Sequence, residues 1–126
     1  MTDHAKTLDI IFGRWRSQIL YAGVKLGLFD CVNSFPKNAS EIAKQLNLDY
    51  SLSYRLLRAL GSLGLLREDV NRNFLITAQG ELLGKDHPQT LRGIALLEEG
   101  EEHYALWKHL PSMIMDGKQN AFLREY

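Results

Sequence analysis

Glu99 and His103 stand four residues apart, the spacing that sets two side chains on one helix face. Such a pair has the donor atoms to ligate a metal or to exchange a proton. A metal site on helices needs three or four convergent ligands, and none of His4, His87 or His109 is spaced to complete one. The expectation is a solvated acidic turn with a surface histidine beside it. Cys31 is the only cysteine, so an intramolecular disulfide and a Cys-based zinc cluster are both excluded, and a reducing, cytoplasmic setting is expected. The serines lack a G-x-S-x-G context. Gly61-x-x-Gly64 sits at the end of a leucine-rich helix and lacks the strand–G-x-G-x-x-G–helix setting of a dinucleotide site. The sequence therefore predicts no catalytic, cofactor-binding or metal-binding residue in this chain.

The elements that would carry any site are centred on Asn38–Thr77, which reads as helix, turn, helix and a two-stranded hairpin. Asn38 followed three residues later by Glu41 is a capping box. Asn47-Leu48-Asp49 gives a turn and a second cap, and the next helix runs from Tyr50 to about Leu63. Gly64 is a candidate left-handed helix end. Leu65–Glu68 and Phe74–Ile76 flank the turn-rich Asp69–Asn73 as a wing. The fold class predicted is mainly α: a winged helix-turn-helix with a small two-stranded β wing and flanking dimerisation helices.

Whether this winged helix faces DNA is a question of charge. Fifteen basic residues balance fifteen acidic ones, and the formal net charge is zero, which removes the sequence-independent attraction to phosphates. On the second helix, Leu52, Leu56, Ala59, Leu60 and Leu63 are expected to face inward, leaving Tyr54, Leu57, Arg58 and Gly61 outside, a surface suited to protein. Upstream, Leu8, Ile11, Phe12, Trp15, Ile19, Ala22 and Leu26 make one apolar stripe on a helix read from Leu8 to Leu26. Ile10, Leu20, Tyr21 and Val24 make another. A helix apolar on two faces must be covered on both, and a second copy of the chain is the expected cover. The alternative is a break near Gly23 that folds the second face back onto its own domain.

After Thr77, a short capped helix and the loop Gly84–Pro88 lead to a helix beginning around Leu91. The acidic run Glu98–Glu102 follows, then Trp107 and Leu110 as apolar anchors, with His103 and Tyr104 beside them. Ala121-Phe122-Leu123 has nothing evident to pack against, so the end at Tyr126 is expected to be a cut. No apolar run approaches membrane-spanning length, and no signal-peptide core is evident.

The series Phe12-Gly13-Arg14-Trp15, Leu20-Tyr21-Ala22, Leu26–Asp30, Glu41-Ile42-Ala43, Tyr54–Leu60, Leu63–Leu66, Phe74–Thr77 and Gly80–Leu83 resembles a known family. It is similar to the amino-terminal dimerisation domain of S-adenosylmethionine-dependent small-molecule O-methyltransferases of the caffeic acid, acetylserotonin and hydroxyneurosporene type. Trp107-x-x-Leu110 and Asp116-Gly117 followed by Ala121-Phe122 resemble the family's linker. The resemblance implies a homodimer with Phe12, Trp15, Ile19, Leu20, Tyr21 and Val24 at the interface. It implies a winged-helix dimerisation domain over residues 1–88 and a helical linker over 89–126 toward an absent methyltransferase domain. S-adenosylmethionine, the glycine-rich cofactor motif and the catalytic histidine would belong to that other domain, and so would most of the small-molecule acceptor site. His103, Tyr104 and Trp107 are the residues placed near the acceptor. The competing reading is a small dimeric winged-helix transcription regulator using Arg55, Arg58, Arg67 and Arg72 on DNA.

Overall fold

Residues 1–126 are described by a computed structural model. The chain opens with α1 (Asp3–Ile11) and α2 (Gly13–Leu26), then a single turn, α3 (Leu28–Val32). Strand β1 (Lys37–Asn38), α4 (Ala39–Leu46), α5 (Tyr50–Ser62), β2 (Leu66–Glu68), β3 (Asn73–Ile76) and α6 (Ala78–Glu81) complete the winged helix. Beyond a loop come α7 (Arg92–Glu98), α8 (Glu101–Tyr104), a 3-10 turn (Ala105–His109), α9 (Leu110–Asp116) and α10 (Ala121–Glu125).

The expected local signals are present. The Asn38 side chain accepts from the Glu41 amide at 2.9 Å, while the Glu41 carboxylate accepts from the Asn38 amide at 3.1 Å. Asp49 accepts from the Leu52 amide and starts α5. Gly27 and Gly64 both take left-handed backbone, φ 79°, where a side chain would be strained. At the wing tip the Asp69 carboxylate accepts from the amides of Asn71 and Asn73, which fixes the turn.

The sheet departs from expectation because it has three strands, in the order β1-β3-β2, all antiparallel. Lys37 and Asn38 pair with Phe74 and Asn73, so the residues leading into α4 form an extra edge strand. Two residues carry too little pattern to be recognised as a strand in isolation.

The first long helix also differs. It is interrupted at Phe12, whose backbone leaves helical geometry, so α1 and α2 are separate rods. The stripe expected to be inward is the outer one: Leu8, Ile11, Phe12, Trp15 and Leu26 all rank as exposed. The core side of α2 is Gly23 and Val24, with Ile19 and Leu20 packed against them. Val24 is 3% exposed. It is therefore a core residue of the single chain, which corrects its assignment to the dimer interface.

Helix α5 is rotated in the same sense. Leu57 is fully enclosed (0%) while Leu52 is 62% exposed, the reverse of the expected faces. Leu57 and Leu60 join Val24, Leu28, Phe29, Ile42, Leu66 and Phe74 in one core. Tyr54 is half-buried rather than outward. Its ring meets Phe74 edge-on and its hydroxyl donates to Glu68 at 2.6 Å. That hydrogen bond, with burial, pushes the Tyr54 phenol above its ordinary range.

Gly61 lies where α5 passes β2, yet a Cβ there would stand 3.7 Å from the Leu66 carbonyl oxygen, an ordinary contact. Gly61→Ala is therefore expected to raise the unfolding free energy by about 0.5–1 kcal/mol, through helix propensity and a less flexible unfolded chain. Urea unfolding measures this. A loss of stability would show that Gly61 serves a close approach absent from the single chain.

Candidate functional site

Two features stand out on the surface, an apolar patch on the first two helices and a cavity in the carboxy-terminal segment. The patch is built at the α1–α2 junction. Phe12 and Trp15 stack with ring centroids 4.2 Å apart, Trp15 is 55% exposed and Ile10 80%, and Ile11 lies beside them. Its rim carries an ion pair, Arg16 to Asp9 at 2.6 Å. Contiguous aromatic and branched apolar side chains with a charged rim have the composition of a protein interface. Of the other interface candidates, Tyr21 is half-buried, and Ile19 and Leu20 lean on the core.

The cavity, of about 240 Å³, is lined by Glu98, His103, Leu106, Trp107, Leu110, Met113 and Ala121. His103 and Trp107 thus share one wall, whereas Tyr104 faces a neighbouring depression with Glu99, Ala105, Trp107 and Lys108. Trp107 is 66% exposed and so is not a core anchor; nor is Leu110, which is exposed at the cavity rim.

Glu99 and His103 do not act together. Glu99 is taken by Gln18, whose side-chain amide donates to both its carbonyl and its carboxylate at 3.1 Å and so ties α2 to the end of α7. His103 instead sets its ring edge-on to Phe122, centroids 6.2 Å apart. No group of three His, Cys, Asp or Glu side chains converges on a metal-sized site. Cys31 is buried, and burial pushes its thiol above the ordinary range, away from nucleophilic use.

The carboxy-terminal run does find partners. Beside Phe122 lies Tyr126, and α10 is held by ions: Glu125 meets Lys108 at 2.7 Å and His109 at 2.8 Å, while Arg124 meets Asp116 at 2.5 Å and Ser112 at 3.0 Å. These partners sit eight to seventeen residues apart across a turn, so no periodic signal in the sequence announces them. The Arg124 guanidinium holds the Asp116 carboxyl below its ordinary range, and Lys108 followed by His109 does the same for Glu125. A depressed carboxyl stabilises the docked form above its ordinary pKa and loses that effect as pH falls through the depressed value. Resonances of residues 119–126 should therefore move toward random-coil positions below about pH 4, ahead of those of the α4–α5 core. Coincident loss of both would refute the independent behaviour of α10.

The family model described as the O-methyltransferase dimerisation domain matches residues 8–86. The chain belongs to this family. PhzM, the phenazine O-methyltransferase of Lysobacter antibioticus, is 34% identical over 119 residues, which cover 94% of this chain and 34% of that protein. The O-demethylpuromycin-O-methyltransferase of Streptomyces alboniger is 31% identical over 113 residues, 90% of this chain and 30% of that protein. The crystal structure of LaPhzM superposes with a TM-score of 0.91 at 32% identity, over 100% of this chain and 37% of that one. RosA of Streptomyces davawensis, an N,N-8-amino-8-demethyl-D-riboflavin dimethyltransferase, gives 0.89 at 27%, over 98% and 37%. This dimerisation domain thus spans about a third of the length of the curated relatives it matches.

These relatives are methyltransferases, and they lend nothing to the transcription-regulator alternative. The basic side chains agree, since Arg58 is engaged by Glu68 at 3.6 Å and Arg72 sits at a wing tip also carrying Asp69. The matched span contains the Phe12–Trp15 patch. The cavity lies outside it, in residues 98–121.

Proposed function

We propose that the domain pairs two subunits of an S-adenosylmethionine-dependent small-molecule O-methyltransferase, helps close the acceptor pocket, and carries out no methyl transfer itself. The observation that carries this reading is the solvent-facing Phe12–Trp15 stack, with Ile10 and Ile11, inside the span matched by the dimerisation family. A single chain has no reason to leave so much aromatic surface wet, whereas a second copy would bury it. Phe12, Trp15, Ile19, Leu20 and Tyr21 form the proposed interface.

Residues 1–88 are the pairing module, and 89–126 lead toward a catalytic domain that supplies the cofactor site and the reacting groups. His103 and Trp107 face the acceptor, with Tyr104 at the edge, since they line the apolar hollows of this segment. The relatives support the cofactor: PigF is described with SAH and human N-acetylserotonin methyltransferase in complex with SAM. No helix is long and apolar enough to cross a membrane, which fits the cytoplasmic site of action proposed.

Sedimentation equilibrium at micromolar concentration should return twice the 14.4 kDa chain mass. A monomer would overturn the pairing role. Calorimetric titration with S-adenosylmethionine should give no binding heat, and saturable binding would place a cofactor site within this chain.

A further inference from the structure

We infer that α10 is a releasable wall of the cavity, held in place by an ion-pair clamp that opens while the winged helix stays folded. Ala121 of α10 closes one side of the cavity opposite His103, Trp107 and Met113. The helix has only five residues, none of them buried, and its preceding residue Asn120 makes no side-chain cap to the first turn. So short a helix has no stability of its own, and without buried apolar surface its attachment is chiefly polar. Phe122 supplies the apolar contact, against His103 in the cavity wall and Tyr126.

The polar contacts form two knots. In one, the Glu125 carboxylate bridges Lys108 and His109 of the 3-10 turn. In the other, the Arg124 guanidinium donates to Asn120, Ser112 and Asp116, gathering both ends of the α9–α10 connection. Tyr126 adds one bond to the Glu102 carbonyl. Every anchoring group lies between Glu102 and Tyr126, and none reaches the core of Val24, Leu57 and Phe74. Detaching α10 therefore leaves the winged helix untouched and widens access to the cavity, whatever molecule enters it. The inference does not depend on dimerisation or on the acceptor proposed above.

Hydrogen exchange read by mass spectrometry on the whole chain tests it. In Glu125→Gln combined with Arg124→Gln, peptides over residues 119–126 should exchange roughly tenfold faster, the loss expected of a partly shielded ion-pair network, with α4–α5 peptides unchanged. Lys44→Gln, a charge change on exposed α4, should alter neither region. Unchanged exchange at 119–126, or equal acceleration across the chain, overturns the clamp. Met113→Cys tests the wall separately, with buried Cys31 as the unreactive reference. Alkylation of the new thiol by iodoacetamide should accelerate by the same factor when Glu125→Gln and Arg124→Gln are added. A rate indifferent to the clamp would show that α10 does not gate the cavity.

Discussion

Trp15→Asp is expected to leave the domain folded and monomeric. The indole is stacked on Phe12 and more than half exposed, so its removal takes little from the chain's own core. At a buried interface it would be a large aromatic contact at the centre of an apolar patch. Truncating such an anchor typically costs about 2–4 kcal/mol, a roughly 30- to 1000-fold weaker dimer, and an unpaired carboxylate on the same spot adds to that. Sedimentation velocity across a dilution series should show the shift, with circular dichroism unchanged. A dimer of undiminished affinity would mean that another surface pairs the subunits. Val24→Asp is the contrasting substitution. Val24 lies within the protomer core, so a buried charge there should unfold the chain rather than dissociate it.

Gly80→Ala should be the most damaging small change in the winged helix. Gly80 is buried in the single turn α6, and a Cβ there would fall 2.0 Å from the Leu65 carbonyl oxygen and 3.0 Å from its carbon. Neither side has room to retreat. Thr77 caps α6 by accepting the Gly80 amide at 3.0 Å, and its hydroxyl also lies within hydrogen-bonding reach of the Gly64 and Leu65 carbonyls. The turn is thereby tied to the segment it would have to leave. The clash should cost about 2–4 kcal/mol, far more than helix propensity returns, and lower the melting temperature by on the order of 10 °C. Differential scanning calorimetry reads this directly. Glycine-to-alanine changes at positions 61 and 80 thus have opposite expected signs, and the packing around each position decides which.

Much of the domain was legible in sequence because its signals act within one helical turn. The Asn38–Glu41 box, the Asp49 and Thr77 caps and the left-handed Gly27 and Gly64 are short-range hydrogen-bonding and backbone preferences, so α4, α5, the wing and α6 could be placed without knowing what they pack against. The balanced charge and the lack of any converging set of ligands or nucleophiles are likewise properties of composition and spacing, and they turned the winged helix away from DNA and catalysis.

Only the tertiary structure decided which faces point inward. Both α2 and α5 carry leucines, valines or aromatics around most of their circumference, so periodicity alone gives no unique inner side. The joint fit of Val24, Leu57 and Leu60 around Phe29 and Phe74 selects one, and it puts Trp15 and Leu52 outside. The third strand at Lys37–Asn38, the break at Phe12, the cavity and the clamp on α10 were hidden for the same reason. Each depends on partners brought together by the fold, and a pairing energy between distant residues leaves no periodic trace along the chain.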